Sequence, residues 1–242
     1  MRNLLKNIID KERFKPGLLG IFINPYYFIR KGLYKGISAH KERLNGKLLD
    51  FGCGSKPYKN IIDVDEYIGL DIEQSGHDHS NEEIDVYWDG KKIPFPDATF
   101  DSILSSEVLE HVFEPTKTFK EINRVCKLNG VLLLTVPFVW NEHEIPYDYG
   151  RYSSYGLEYF LNKLGFEIIK AEKSTNYIET LFQSWNTYLF QVILKKNLLQ
   201  MIFTPILIAP FTLMGIVFSF ILPTDHSFYH NNIVLAKKVR SL

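Results

Sequence analysis

The chain has 242 residues, 45% of them hydrophobic, and its 28 basic side chains balance its 28 acidic ones. This length and composition allow a full hydrophobic core and are typical of one folded domain with additions. The balanced charge gives no electrostatic reason to expect a nucleic acid as a partner. The two cysteines, Cys53 and Cys126 (the latter in a predicted helix), favour neither a disulfide framework nor a secreted protein.

The first 45 residues are predicted to form a helical cap. Apolar residues recur at helical spacing between charged ones over positions 4–9, and Pro16 interrupts this pattern before an aromatic segment over 22–28. Asn24 and Pro25 divide the apolar stretch, so we do not expect a secretory signal here.

The first strand is predicted over 47–51 and runs directly into a turn that contains Gly52 and Gly54. Glycines allow such a turn to bend sharply and to approach a ligand closely, because they have no Cβ. A second strand over 67–71 ends in Asp71, 21 residues after Asp50, and at this spacing a carboxylate reaches ribose hydroxyl groups. A dinucleotide-binding turn requires a third small residue where this chain has Pro57, so a nucleotide ligand other than NAD is favoured.

Two further motifs follow in order, Asp-Gly-Lys-Lys-Ile-Pro-Phe over 89–95 and Glu-Val-Leu-Glu-His over 107–111. With these motifs the chain resembles the class I S-adenosylmethionine-dependent methyltransferases from Gly46 to near Phe138. The resemblance implies a Rossmann-like α/β fold with a seven-stranded, mostly parallel sheet and helices on both faces. The expected divisions are a cofactor-binding core over 46–175, a hydrophobic helical insertion over 176–228, and the last strand and tail over 229–242.

The resemblance also implies which residues bind S-adenosylmethionine. Asp50, Gly52 and Gly54 would face the methionine part of the cofactor. Asp71 would bind both ribose hydroxyls, and Asp89 would accept a hydrogen bond from the adenine amino group. The remaining expected contacts are Ile72 and Gly90 near the adenine, and Ser106 and Glu107 at the end of the fourth strand.

Chemistry is predicted beyond the ends of the fourth strand (100–105) and the fifth strand (131–136), which a helix over 115–127 connects. We expect His143 to accept the proton of an acceptor hydroxyl, with Glu142 or Glu144 orienting its ring. A purely structural histidine is an equal alternative, and Glu107 is the second candidate base. The sequence predicts no metal site, since His77 and His79 lie in a polar loop without other residues at ligand spacing.

Aromatic and polar residues that follow the fifth strand are expected to hold a polar, hydroxyl-rich acceptor. The residues assigned to acceptor binding are Trp140, Tyr147, Asp148, Arg151 and Tyr152. Glu144 is also assigned to catalysis.

The segment 198–222 contains no charged residue and is long enough to span a bilayer. A simple span would separate the last strand from its sheet, and Pro205, Pro210 and Gly215 divide the segment into shorter pieces. We therefore expect a bent hydrophobic hairpin that contacts one leaflet on the inner face of the cytoplasmic membrane. The alternative is burial of the same surface in a homodimer.

The resulting functional hypothesis is a cytoplasmic, peripherally membrane-attached methyltransferase. The stretch Pro-Tyr-Asp-Tyr-Gly-Arg-Tyr over 146–152 is similar to bacterial methyltransferases associated with surface-polysaccharide and lipid-linked glycan assembly. The leading hypothesis is O-methylation of a sugar hydroxyl on a small-molecule or lipid-linked glycan acceptor. The alternatives are a quinone or lipid methyltransferase, and a membrane-associated module that binds the cofactor without catalysis.

Overall fold

The computed structural model describes residues 2–73 and 83–242, so His77 and His79 lie outside the described residues. The chain divides into two compact units. The first, which we call the helical unit, contains the chain up to Lys35 together with Lys173–Asn231. The second, the sheet unit, contains Gly36–Glu172 and Asn232–Leu242.

The sheet unit is built on seven strands in the order β3-β2-β1-β4-β5-β7-β6. Neighbouring strands among the first five are parallel. The last strand is antiparallel to β6, because Val239 N–H, just after β7, donates to the carbonyl of Gly165, just before β6. This arrangement confirms the predicted fold. The strands are β1 (Lys47–Phe51), β2 (Glu66–Ile72), β3 (Val86–Trp88), β4 (Phe100–Ser106), β5 (Cys126–Pro137), β6 (Phe166–Lys173) and β7 (Asn231–Lys238).

Both faces of the sheet are covered, which explains why consecutive residues of β1 and β4, and of the second half of β5, are buried rather than alternately buried and exposed. Successive residues of a strand point to opposite faces. Leu48 packs in one core with Ile37, which belongs to the helix Tyr27–His40 (α3). Leu49 packs in the other core with residues of α4 (Pro115–Val125) and α5 (Ser154–Lys163).

One local feature differs from the sequence prediction. The helix expected over 115–127 ends at Val125, and Cys126 is the first residue of β5 rather than part of that helix. Cys126 pairs with Phe100 of β4, so strand pairing overrides the helical continuation. The connection from β1 to β2 contains a short 3-10 turn, Lys59–Ile61.

The helical unit contains α1 (Arg2–Phe14), α2 (Gly20–Ile23), most of α3, α6 (Tyr177–Tyr188), α7 (Asn197–Phe203) and α8 (Ala209–Ile221). The expected hairpin within 198–222 is absent, because Asn197–Ile221 is one helical stretch of 25 residues. Pro205 lies at the start of a wide π-type turn, Thr204–Ile208, and Pro210 lies in the first turn of α8. At these positions the missing N–H of proline is tolerated, so the helix continues.

Candidate active site

The glycine turn joins the ends of β1 and β2. Gly52 and Gly54 have φ values of +73° and +45°, in the region that favours glycine. Gly54 N–H donates to Asp71 Oδ2 at 2.8 Å. A Cβ on Gly52 would clash with the methyl groups of Val108. The turn is therefore in contact with the end of β2 and with the segment that follows β4.

Asp50 is a buried carboxyl group at this turn, with 4% of its surface exposed. The hydroxyl of Tyr67 donates to Asp50 Oδ2 at 2.5 Å. Burial raises the pKa of Asp50 to about 7, and the negative charge of Asp71 adds to this effect, while the Tyr67 hydrogen bond opposes it. A ligand cation such as an amino acid ammonium group would relieve this cost.

The residues expected at the adenine lie together on the neighbouring strands. Ile72 pairs with Trp88 of β3, and a Cβ on Gly90 would lie 3.4 Å from Ile72 Cδ1. The exposed Asp89 accepts backbone N–H groups of the next two lysines through Oδ1, and these hydrogen bonds lower its pKa. The side chains of Ile72 and Asp89 can thus flank one flat ligand.

Sequence reasoning missed a buried lysine in the same turn. Lys56 is 5% exposed, and its Nζ donates to Asp85 Oδ2 at 2.7 Å. Asp85 also accepts the backbone N–H of Gly69 at 2.6 Å. In the sequence, only its position directly after the glycine turn indicated that Lys56 could belong to the site. Nothing in the sequence connected Lys56 to Asp85.

The end of β4 is held by hydrogen bonds to β5. Glu107 has a φ of +58°, which is rare for a residue with a side chain. Its backbone N–H donates to the Thr135 carbonyl at 3.0 Å, and its Oε1 accepts from the Thr135 hydroxyl at 2.8 Å. Ser106 Oγ lies 3.0 Å from the same hydroxyl. Thr135 was missed because it lies inside an apolar strand.

Just beyond Glu107, three side chains converge into what we call the Glu110 cluster: Glu110, His111 and His143. Each offers a nitrogen or carboxylate oxygen, and these atoms lie within 4.8 Å of one another. Burial, and then the charge of Glu107, raises the pKa of Glu110 well above its ordinary value. Burial also lowers the pKa of His143, and the nearby His111 adds to this effect. The sequence analysis named Glu110 and His111 only as the last two residues of the motif over 107–111.

The loop after β5 is anchored by an ion pair. The guanidinium of Arg151 donates to both carboxylate oxygens of Asp148 at 2.5 and 2.7 Å, which lowers the pKa of Asp148 to about 2. Asp148 Oδ2 in turn lies 3.2 Å from His143 Nδ1. The carboxylate that faces Nδ1 is thus Asp148, whereas Glu144 lies 3.9 Å from Nε2 and Glu142 is exposed.

The aromatic residues expected at the acceptor occupy different environments. The carbonyl of Tyr147 is 2.7 Å from His111 Nδ1, while the Tyr147 side chain is exposed. Tyr152 packs against the core, where its ring lies 6.2 Å from that of Phe160, and burial raises its pKa. Trp140 is half-buried.

A family model described as a methyltransferase domain matches residues 49–134, which contain the glycine turn and the motif over 107–111. In sequence, the chain is similar to a probable S-adenosylmethionine-dependent methyltransferase of Mycolicibacterium smegmatis, with 30% identity over 133 residues. The match covers 52% of this chain and 50% of that protein, so the chain spans about half the length of the curated relative.

Solved structures with a similar fold include one of Haemonchus contortus phosphoethanolamine N-methyltransferase 2 in complex with S-adenosyl-L-methionine. Its TM-score is 0.54 at 17% identity, over 95% of this chain and 59% of that chain. The cyclase SpnF has a TM-score of 0.51 at 20% identity, over 87% of this chain and 81% of its own. At these identities the likeness shows the fold alone, and one fold supports different reactions.

Proposed function

We propose that the chain is a class I S-adenosylmethionine-dependent methyltransferase that methylates a hydroxyl group of a membrane-borne acceptor. The match of residues 49–134 to a methyltransferase-domain model and the similarity to a probable S-adenosylmethionine-dependent methyltransferase support this proposal. The observation that carries this proposal is the contact between Gly52 and Val108. Val108 lies between Glu107 and Glu110, so the cofactor turn directly adjoins the acids and imidazoles that can take up a proton. Donor and acceptor positions are thereby held close together.

The chemistry favours oxygen as the accepting atom. When bound, S-adenosylmethionine supplies an electrophilic methyl group, whose carbon–sulfur bond breaks as the oxygen–carbon bond forms and whose electron pair stays on the sulfur of S-adenosylhomocysteine. The hydroxyl proton passes to a carboxylate beside the glycine turn, for which Glu107 is the candidate. Most of the acceleration comes from positioning, and a proton acceptor contributes in addition because a hydroxyl has a high pKa.

The first experiment is a calorimetric titration of the full chain with S-adenosylmethionine. We expect Asp71→Ala to weaken binding at least about tenfold, since the ribose would lose a charged hydrogen-bond acceptor. Glu73→Ala is the matched control, because Glu73 is an exposed carboxylate two residues further along. A folded parent chain that binds no S-adenosylmethionine would contradict the proposal.

The helical unit supports contact with a membrane because it buries polar side chains and exposes apolar ones. Gln183, Asn186 and Thr212 are fully buried, whereas Met201 and Phe220 are 72% and 91% exposed. In water-soluble helices the pattern is the reverse. Helices that pack in lipid place polar and small residues at their contacts and apolar residues outside.

Several buried polar groups of this unit have specific partners. Gln183 Nε2 donates to the carbonyl of Pro25 at 2.8 Å, and Gln183 Oε1 accepts from Phe28 N–H at 3.0 Å. Asn186 Nδ2 donates to Thr212 Oγ1 at 2.9 Å. These bonds fix which helix faces point inward. The exposed apolar residues are therefore a lasting property of the unit, and they need an apolar environment.

We infer that this environment is one leaflet of an anionic membrane. The stretch Asn197–Ile221 has a mean hydropathy of 2.2 over its most apolar 18-residue window, and 28% of that window is buried within the protein. Lys195 and Lys196 precede it and are exposed, as expected beside anionic headgroups. A membrane-bound enzyme with this site suits a lipid-linked glycan whose sugar hydroxyl is methylated.

Vesicle co-sedimentation tests the membrane contact. With vesicles of phosphatidylethanolamine and phosphatidylglycerol, we expect the parent chain to sediment and the double variant Phe220→Glu, Ile221→Glu to remain largely in solution. Tyr155→Glu is the control, since Tyr155 is 82% exposed on the sheet unit. A detergent-free, monodisperse dimer that ignores vesicles would instead support burial of this surface between two copies.

A quinone or lipid acceptor is the second candidate, favoured by the same apolar surface. Methyl-tritiated S-adenosylmethionine and a membrane extract distinguish the two. We expect mild acid, which releases the sugar from a lipid carrier, to move the label into the water-soluble fraction. Label that stays in the organic phase would identify a quinone or lipid. Cofactor binding without any methyl transfer would identify a non-catalytic module.

A further inference from the structure

Glu110 is a buried acid whose surroundings call for a positive charge. It is 1% exposed, and its Oε2 has no hydrogen-bond partner within the described part of the chain. Arg151 is the nearby cation, but its guanidinium donates to Asp148 and to the carbonyls of Gly150 and Asn141. An unpartnered carboxylate oxygen in a protein interior is costly. A cation bound at Oε2 would satisfy it.

His111 presents a lone pair towards the same carboxyl group, on the side of Oε1. Its Nδ1 lies 2.7 Å from the carbonyl of Tyr147, which can only accept, so Nδ1 carries the hydrogen. In the neutral ring Nε2 is then unprotonated. Nε2 lies 3.9 Å from Glu110 Oε1 and 3.5 Å from Glu144 Oε1. A backbone carbonyl that fixes the tautomer in this way is the usual partner of a metal-binding histidine.

His143 lies beside a carboxylate that binds its backbone, and its ring Nδ1 has no hydrogen-bond partner within the described residues. Its Nδ1 lies 3.2 Å from Asp148 Oδ2, and its backbone N–H donates to the same oxygen at 3.0 Å. Asp148 is itself fixed by two hydrogen bonds from Arg151. In proteins, a metal-binding imidazole commonly has a carboxylate beside one ring nitrogen and the metal at the other. The two imidazole rings lie 4.7 Å apart, centroid to centroid.

We propose that Glu110, His111 and His143 bind one divalent first-row transition metal ion, such as Mn²⁺ or Zn²⁺. Their ligand atoms lie within 4.8 Å of one another, and a movement of about 1 Å brings each to the roughly 2.0–2.2 Å that such ions require. Glu144 is close enough to both imidazoles to be a fourth ligand. Two imidazole nitrogens favour a transition metal over Mg²⁺ or Ca²⁺, which prefer oxygen ligands.

This ion would activate the acceptor, a role that rests on the proposed methyl transfer to a hydroxyl group. Three protein ligands leave positions open for one or two acceptor oxygens. The ion lowers the pKa of a bound hydroxyl, whose proton passes to Glu107 and then to water. His143 then acts as a ligand rather than as the base that the sequence favoured. The methyl group is attacked by the metal-bound alkoxide, which leaves the metal as an ether oxygen.

Metal binding is measured on the full chain after chelator treatment, by equilibrium dialysis and calorimetry with Mn²⁺ or Zn²⁺ alone. We expect one ion per chain and a loss of affinity of about 100-fold or more in Glu110→Gln, which keeps the size of the side chain. His40→Gln is the matched control, because His40 forms a different histidine–carboxylate contact, 2.6 Å from Glu172. Equal binding by the parent and Glu110→Gln, or no binding by either, overturns the proposal.

Pulsed electron paramagnetic resonance of bound Mn²⁺ identifies the ligands independently of activity. We expect two imidazole nitrogen couplings in the parent and one in His111→Gln and in His143→Gln. Asp148→Asn is expected to weaken metal binding about 10- to 100-fold while keeping both couplings, as a positioning residue should. A Mn²⁺ spectrum without nitrogen couplings overturns the assignment.

The two proposals fail in different ways. Full methyl transfer by the chelator-treated chain overturns the metal site and leaves the methyltransferase function intact. A chain that binds Mn²⁺ in this way but binds no S-adenosylmethionine retains the metal site and loses the proposed function.

Discussion

Replacing Asp50 by asparagine tests whether the glycine turn gives up folding stability in exchange for binding S-adenosylmethionine. Asp50 is buried, and its pKa is about 7 in the folded chain against 3.8 for the free side chain. Between these two values the folded state holds a proton that the unfolded state has released. Stability from this group is therefore complete below about pH 4 and is lost as the pH rises through about 7.

The size of the effect follows from the difference between the two pKa values. At pH 8 the ionised Asp50 lowers the free energy of unfolding by up to about 4 kcal/mol relative to the protonated form. An asparagine side chain at this position cannot ionise and still accepts from the Tyr67 hydroxyl. By urea unfolding without cofactor, we expect the stability advantage of Asp50→Asn over the parent to fall from up to about 4 kcal/mol at pH 8 to about 1 kcal/mol at pH 4.5. Parallel stability–pH curves for the two proteins would refute the reasoning.

Cofactor binding should change in the opposite direction. If the methionine ammonium group pairs with the Asp50 carboxylate, Asp50→Asn loses that charge interaction. We expect S-adenosylmethionine to bind at least about tenfold more weakly to the variant at pH 8. A variant that is both more stable and unimpaired in binding would mean that Asp50 faces something other than the ammonium group.

Three further substitutions probe the sheet unit. Gly52→Ala should lower the free energy of unfolding by about 3 kcal/mol through the positive φ and the Val108 contact, whereas Gly156→Ala in α5, where an added Cβ meets only Ser153 Oγ at 3.2 Å, should be neutral or stabilising. Thr135→Val removes the hydroxyl bound to Glu107, and we expect about tenfold slower methyl transfer with unchanged S-adenosylmethionine affinity by calorimetry. Buried Lys238 donates to the carbonyls of Asn123 and Cys126 at the end of α4. Lys238→Met should lower the free energy of unfolding in urea by about 2–3 kcal/mol. Lys237→Met is the control, and it should lower that free energy much less because Lys237 is half-buried.

The sheet and the cofactor turn could be predicted because their signals are local. Leu48, Leu49 and Phe51 form a short apolar strand that only Asp50 interrupts, and Gly52 and Gly54 follow at fixed spacing. The spacing from Asp50 to Asp71 reflects one strand, one connection and a second strand. Cys126 shows the limit of such signals, since its strand conformation depends on pairing with Phe100, 26 residues earlier.

The groups that could not be predicted depend on distant contacts. Glu110 reads as an ordinary acid in a turn, and its burial is set by β5 and by the loop that follows it. Thr135 is one polar residue in an apolar strand, and its contact with Glu107 is invisible in sequence. In the helical unit, Thr180, Gln183 and Thr187 recur at helical spacing on α6. Such a polar stripe ordinarily predicts a face in contact with water, whereas in the structure it is buried.

The five residues from Glu107 to His111 combine the two halves of the site. Glu107 adopts a left-handed conformation, and strain of this kind, about 1–3 kcal/mol, persists only where the surroundings fix it. Here Thr135 fixes Glu107, and Val108 packs against Gly52 of the cofactor turn. One residue further on, the chain forms the 3-10 turn that contains Glu110 and His111. A relaxed conformation at Glu107 would change the separation between Gly52 and Glu110, so this strain fixes the geometry that the proposed methyl transfer requires.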